Sequence, residues 1–147
     1  MSSVSIDGVL INPTRIISLN DGDVLHAMKQ DATGYAGFGE AYFSTIEPGA
    51  VKGWKRHREM VLNLLVPIGE ILFVLYDARP NSPTRDQFQT VSLSRNNYHR
   101  LTVPPMVWMG FQGRGTNTAM LLNIANIPHD PAEIDRKSVT EIKYDWN

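Results

Sequence analysis

The chain has no cysteine, which excludes disulfides and thiolate metal sites and leaves its redox compartment unmarked. It also has almost no net charge: 14 Lys and Arg against 15 Asp and Glu give −1 over 147 residues, too even a balance for an extended nucleic-acid footprint. Any anion held by a local basic patch is therefore small. No apolar run approaches the roughly 18 residues of a membrane helix, and the polar start, Met1-Ser2-Ser3-Val4-Ser5-Ile6-Asp7-Gly8, lacks the basic-then-apolar order of a secretory signal. These absences predict a cytoplasmic protein with neither membrane nor nucleic-acid partners. Long helical periodicity is missing too. The clearest helix expected is one short stretch from Pro131 to Lys137, with Asp130 as its cap and Pro131 in its first turn.

What is present is the patterning of an all-β chain. Val91 and Leu93 alternate with Thr90 and Ser92, Leu101 and Val103 alternate with Arg100 and Thr102, and Val107 to Phe111 forms a further run; each reads as a strand with one buried face. Ile71 to Tyr76 is apolar at every position, which predicts burial on both faces, as in a closed barrel, a sandwich or a subunit interface. Turn signals such as Glu47-Pro48-Gly49, Pro67-Ile68-Gly69, Pro80-Asn81-Ser82-Pro83 and Gly113-Arg114-Gly115 recur at short intervals. Short strands punctuated in this way predict a sandwich or jelly roll. With 42% hydrophobic residues and no repeat, low-complexity tract or composition break, residues 1–147 are expected to form a single domain.

Chemistry concentrates around one imidazole. His57 stands among Lys52, Lys55, Arg56 and Arg58, directly before the two apolar runs joined by Pro67-Ile68-Gly69. A group neutral near pH 7 beside several cations suits a base next to an anion site, because the cations hold a phosphorylated ligand and oppose protonation of the ring. The same cluster also has a plainer reading, a solvated basic strand end. A catalytic metal is not expected, since no His-x-His pair occurs anywhere in the chain, and no cofactor is implied.

Around His57 the order Gly49-Ala50-Val51-Lys52-Gly53-Trp54-Lys55-Arg56-His57, then Asp77-Ala78-Arg79-Pro80-Asn81-Ser82-Pro83-Thr84, then Val103-Pro104-Pro105-Met106-Val107-Trp108-Met109-Gly110-Phe111 resembles the dTDP-4-dehydrorhamnose 3,5-epimerase family over roughly residues 35 to 146. The resemblance implies a cupin-like jelly roll, or double-stranded β-helix, with little helix. It also implies a homodimer, a nucleotide-diphosphate sugar as ligand, and inversion of stereocentres beside the ketone of a 4-keto-6-deoxy sugar without a metal. By family context His57 is the catalytic base, Asp145 in Tyr144-Asp145-Trp146 the carboxylate that orients it, and Lys52 a phosphate contact. His129, before Asp130-Pro131, stands where the family has its catalytic Tyr. Asn63 replaces a family Lys, and Met109 stands where members commonly have His. Lys55 or Arg56 would stabilise the enolate, Lys52 and Arg58 would hold the diphosphate, and Trp108 would stack on a base or sugar or pack in the core. A cupin that binds a sugar or nucleotide-sugar without turning it over is the alternative reading.

Overall fold

The computed structural model describes residues 4–147; the first three residues of the polar start discussed above lie outside them. Twelve strands are laid down: β1 Leu10–Pro13, β2 Ile16–Ile17, β3 Val24–Leu25, β4 Glu40–Ile46, β5 Val51–His57, β6 Leu62–Ile68, β7 Glu70–Asp77, β8 Phe88–Ser94, β9 His99–Val103, β10 Val107–Arg114, β11 Ala119–Ala125 and β12 Ile134–Arg136. Two antiparallel five-stranded sheets face each other, ordered β1-β9-β6-β11-β4 and β12-β5-β10-β7-β8, with β2-β3 as a separate hairpin. This is the jelly-roll sandwich expected from the strand pattern, in the double-stranded β-helix form that the family resemblance implied.

Alternation along each strand decides what the sandwich encloses. Ile71, Phe73 and Leu75 of β7 meet Leu64 and Val66 of β6, Leu101 of β9 and Leu121 of β11 in the core between the sheets. The other half of the apolar β7 run, Leu72, Val74 and Tyr76, faces outward and packs with Trp54 and Trp108 against Ile142, Tyr144 and Trp146. Burial on both faces of Ile71 to Tyr76 is therefore met within the chain. Its own C-terminal segment covers the strand, so that run makes no case for a subunit interface.

Trp146 is the clasp of this cover. Its ring centroid lies 5.6 Å from that of Trp54 and 4.9 Å from that of Tyr144, and a Cβ at Gly110 would come within 3.2 Å of it. Because Trp146 is only half-buried, Trp146→Ala is expected to cost about 2 kcal/mol, below the range for fully buried aromatics. Urea unfolding measures this, and a loss under about 0.5 kcal/mol, typical of a free surface position, would show that the segment is not anchored there.

The helix expected over Pro131 to Lys137 is cut short. Asp130 does cap, its Oδ1 accepting from the Ala132 N–H, but only a 3₁₀ turn, Pro131–Glu133, follows. Ile134, Asp135 and Arg136 instead pair with His57, Arg56 and Lys55. The open edge of β5 offers this segment a ladder, and tertiary pairing overrides local propensity.

Candidate active site

A cavity of about 380 Å³ lies between the sheets, within the roughly 300–1,000 Å³ typical of small-molecule sites. One wall comes from β5, β10 and β12, with Lys52, Lys55, His57, Met109, Phe111 and Arg136; the other comes from β4, β6 and β11, with Tyr42, Ser44, Leu62 and Asn123. The β5 residues reach the same face by an irregular route. Met109 pairs with Lys55 but Phe111 with Lys52, so the single residue Gly110 of β10 is opposed by two of β5, Gly53 and Trp54. This bulge at Gly53-Trp54 resets the alternation. Lys52, although exposed, lines the cavity with Lys55 and His57, while Trp54 turns outward to the C-terminal cover.

His57 is pinned along its backbone as well as its ring. The Met106 N–H donates to the His57 carbonyl and the Arg58 N–H to the Glu133 carbonyl, each at 2.7 Å. His57 Nδ1 lies 2.5 Å from Glu133 Oε1, and Oε2 of the same carboxylate accepts from the backbone N–H groups of Glu59 and Met60. Glu133 is 3% exposed. Burial opposes its charge, yet the hydrogen bonds from His57, Glu59 and Met60 hold its carboxyl below the ordinary value. An ionised carboxylate only accepts, so Nδ1 carries the proton, and Nε2 keeps its lone pair for the cavity.

Burial pushes the His57 pKa below the ordinary imidazole value, and the Lys55 and Arg136 charges act the same way against the pull of Glu133. Lys55 is also lowered, by burial first and then by Arg136 and Lys52. Among the described residues, Lys52, Lys55 and Arg136 have no carboxylate partner in the ion pairs formed. Lys52 Nζ instead donates to the Thr45 carbonyl at 2.8 Å. The cavity thus has an unneutralised positive wall beside a neutral base, the electrostatics of a site for an anionic ligand.

A pH profile follows from these directions. If neutral His57 accepts a proton and charged Lys55 is needed, kcat/KM falls on the acid side below pH 6.5, the unperturbed imidazole value, because the lowered pKa keeps the ring neutral through that pH. It falls again on the alkaline side before pH 10.5 as Lys55 loses its proton early. An acid limb centred above 6.5 would contradict the buried-base account.

Several expected site residues lie elsewhere. Arg56 and Arg58 alternate out of phase with His57, and both grip Asp135, each with an N–O contact of 2.7 Å; their hydrogen bonds, Arg58's first, hold the Asp135 carboxyl at about 2. Arg56 also lies over the Trp108 ring at 4.8 Å, so Trp108 serves the outer packing and does not line the cavity. Asn63 points away as well, donating to the Gly34 carbonyl and accepting from Thr102 Oγ1. Asp145 is exposed and its Oδ1 accepts from the Asn147 N–H; the carboxylate on His57 belongs to Glu133. His129 is exposed too, its backbone N–H donating to Glu40 Oε1 at 2.7 Å. Tyr42, Ser44, Asn123, Glu133 and Arg136 were missing from the sequence-based site. Among the described residues no three His, Cys, Asp or Glu side chains gather as metal ligands, and no helix is long and apolar enough to cross a membrane.

The family match and the named relatives make this a nucleotide-sugar epimerase, built on a cupin-type double-stranded β-helix. The family model for dTDP-4-dehydrorhamnose 3,5-epimerase matches residues 5–146, and the chain belongs to that family. A dTDP sugar isomerase from Desulfovibrio desulfuricans G20 superposes with a TM-score of 0.92 at 39% identity, over 96% of this chain and 92% of that one. The probable low-salt glycan biosynthesis epimerase Agl13 of Haloferax volcanii is 30% identical over 73% of this chain and 72% of its own. The spore coat polysaccharide biosynthesis protein SpsL of Bacillus subtilis is 25% identical over 97% of both.

Proposed function

We propose that this protein epimerises or isomerises a nucleotide-activated 4-keto-6-deoxy sugar by metal-free proton transfer, with His57 as the base. One observation carries this reading: a neutral imidazole, fixed through Nδ1 by a buried carboxylate, opens its other nitrogen onto a cationic cavity. A hydrogen on carbon beside a ketone is weakly acidic, and its removal needs an aligned base together with charge that stabilises the enolate oxygen. Nε2 of His57 takes the proton while the Lys55 ammonium faces the developing oxyanion. Lys52 and Arg136, at the cavity wall, serve the diphosphate. Glu133 fixes the tautomer and steadies the imidazolium that forms, the part expected of Asp145 from sequence.

Incubation with dTDP-4-keto-6-deoxyglucose, followed by proton NMR of the sugar, tests the proposal. The expected product has an inverted centre at C3 or C5, or a displaced keto group. Saturable binding with no conversion would overturn it and favour a sugar-binding cupin without turnover.

A further inference from the structure

We propose that Tyr42 is the second proton-transfer group of this site, delivering a proton to the face of the sugar opposite His57; the inference rests on the reading of His57 as the base. Inverting a carbon requires a proton to leave one face and another to arrive on the other, so a lone imidazole exchanges hydrogen without efficiently inverting the centre. The donor must therefore come from the wall across the cavity. That wall contributes Tyr42, Ser44, Leu62 and Asn123. Leu62 has no proton to give, and neither an alcohol nor an amide acidifies near neutral pH, whereas a phenol does so near pH 10.

The local structure aims Tyr42 inward. On β4, Tyr42 and Ser44 alternate with Ala41, Phe43 and Thr45 and share the inner face with the core residue Ile46. Tyr42 pairs with Asn123 on β11, whose side-chain amide donates to the Tyr42 carbonyl at 3.3 Å and to Ser44 Oγ at 3.0 Å. Those bonds engage the Tyr42 backbone and not its hydroxyl, and the side chain lines the cavity while remaining 40% exposed. Burial first, and the Glu40 charge second, raise the Tyr42 pKa above its ordinary value, so the hydroxyl carries its proton throughout the working range. Tyr42 and His129, the residue that motif position favours, are both exposed, but only Tyr42 belongs to the cavity lining.

The step balances. The carbon–hydrogen bond on the His57 face breaks, its electron pair becomes the enolate, and the ring becomes imidazolium. The enolate carbon then takes the Tyr42 hydroxyl proton, the ketone re-forms, and a phenolate remains. Proton exchange with solvent resets both groups.

Tyr42→Phe separates the two half-steps. In deuterated water with dTDP-4-keto-6-deoxyglucose, the variant is expected to keep incorporating deuterium into recovered substrate while formation of the inverted sugar drops at least about a hundredfold. The melting temperature, followed in parallel, should stay near that of the wild type, since only one oxygen is removed from a side chain that is 40% exposed. Unchanged inversion in Tyr42→Phe overturns the assignment, as does loss of exchange and inversion together in a folded variant. Inversion lost in His129→Ala but kept in Tyr42→Phe would also overturn it. A wild type that inverts the sugar without exchanging solvent hydrogen contradicts the underlying His57 reading, which distinguishes the two failures.

Discussion

His57→Asn is expected to lower turnover of the keto-sugar nucleotide by roughly 10²–10⁴-fold, the usual contribution of a positioned general base, while leaving affinity for dTDP nearly unchanged. The amide of Asn neither reaches as far into the cavity as Nε2 nor accepts a proton near neutral pH. The fold should tolerate the change. Glu133 Oε2 keeps its bonds from the Glu59 and Met60 N–H groups, and the His57 backbone keeps its bond from Met106. Steady-state kinetics and calorimetric titration with dTDP check the two halves. A loss confined to KM, with kcat intact, would assign His57 to binding instead of chemistry.

Glu133→Gln should be about as damaging to catalysis and as well tolerated by the fold, and because it changes the tautomer of His57 without removing the imidazole it is the sharper test of the pair. Gln keeps the shape and one carbonyl oxygen. The Glu59 and Met60 N–H groups at 3.1 and 3.2 Å retain that oxygen as acceptor, and the side-chain NH₂ is then left facing His57 Nδ1. Two donors cannot share that contact, so the imidazole shifts its proton to Nε2, the nitrogen needed as base. Imposing the wrong tautomer on a catalytic histidine costs on the order of 10⁴ in kcat in the serine-protease triad, and a loss of about 10³ or more is expected here. Glu133→Ala additionally leaves the Glu59 and Met60 N–H groups without their partner, at about 1–3 kcal/mol for each one left buried and unsatisfied. If Glu133→Gln retained wild-type kcat, the carboxylate would be a structural bracket and nothing more.

Much of the fold was legible in the sequence because strands announce themselves by period. The alternating runs over Val91–Leu93 and Leu101–Val103 became β8 and β9, and the run without alternation, Ile71 to Tyr76, was the strand buried on both faces. What covered its outer face was not legible, since Ile142, Tyr144 and Trp146 lie far along the chain. The same period shows which site residues were misplaced. Lys55 and His57 are two apart and share a face; Arg56 and Arg58 fall out of phase, and alternation alone would have sent them outward to Asp135. Leu62 against Asn63, and Met109 against Trp108, repeat that lesson. Lys52 breaks the rule through the bulge at Gly53-Trp54, which puts it on the same face as His57 although the two are an odd number of residues apart. Glu133 left no local mark. It reaches His57 only because Ile134 to Arg136 pair along the β5 edge, a contact across more than seventy residues. Tyr42 carried an inward phase on β4, but no motif drew attention to it.

The claim on which the account turns is that His57 moves a proton between carbon and solvent. Mass spectrometry of the nucleotide sugar after reaction in deuterated water reads this directly. The account predicts one deuterium at each carbon that reacts in wild type and none above background in His57→Asn. Conversion by the wild type with no solvent deuterium, or incorporation by His57→Asn at the wild-type rate, would contradict it.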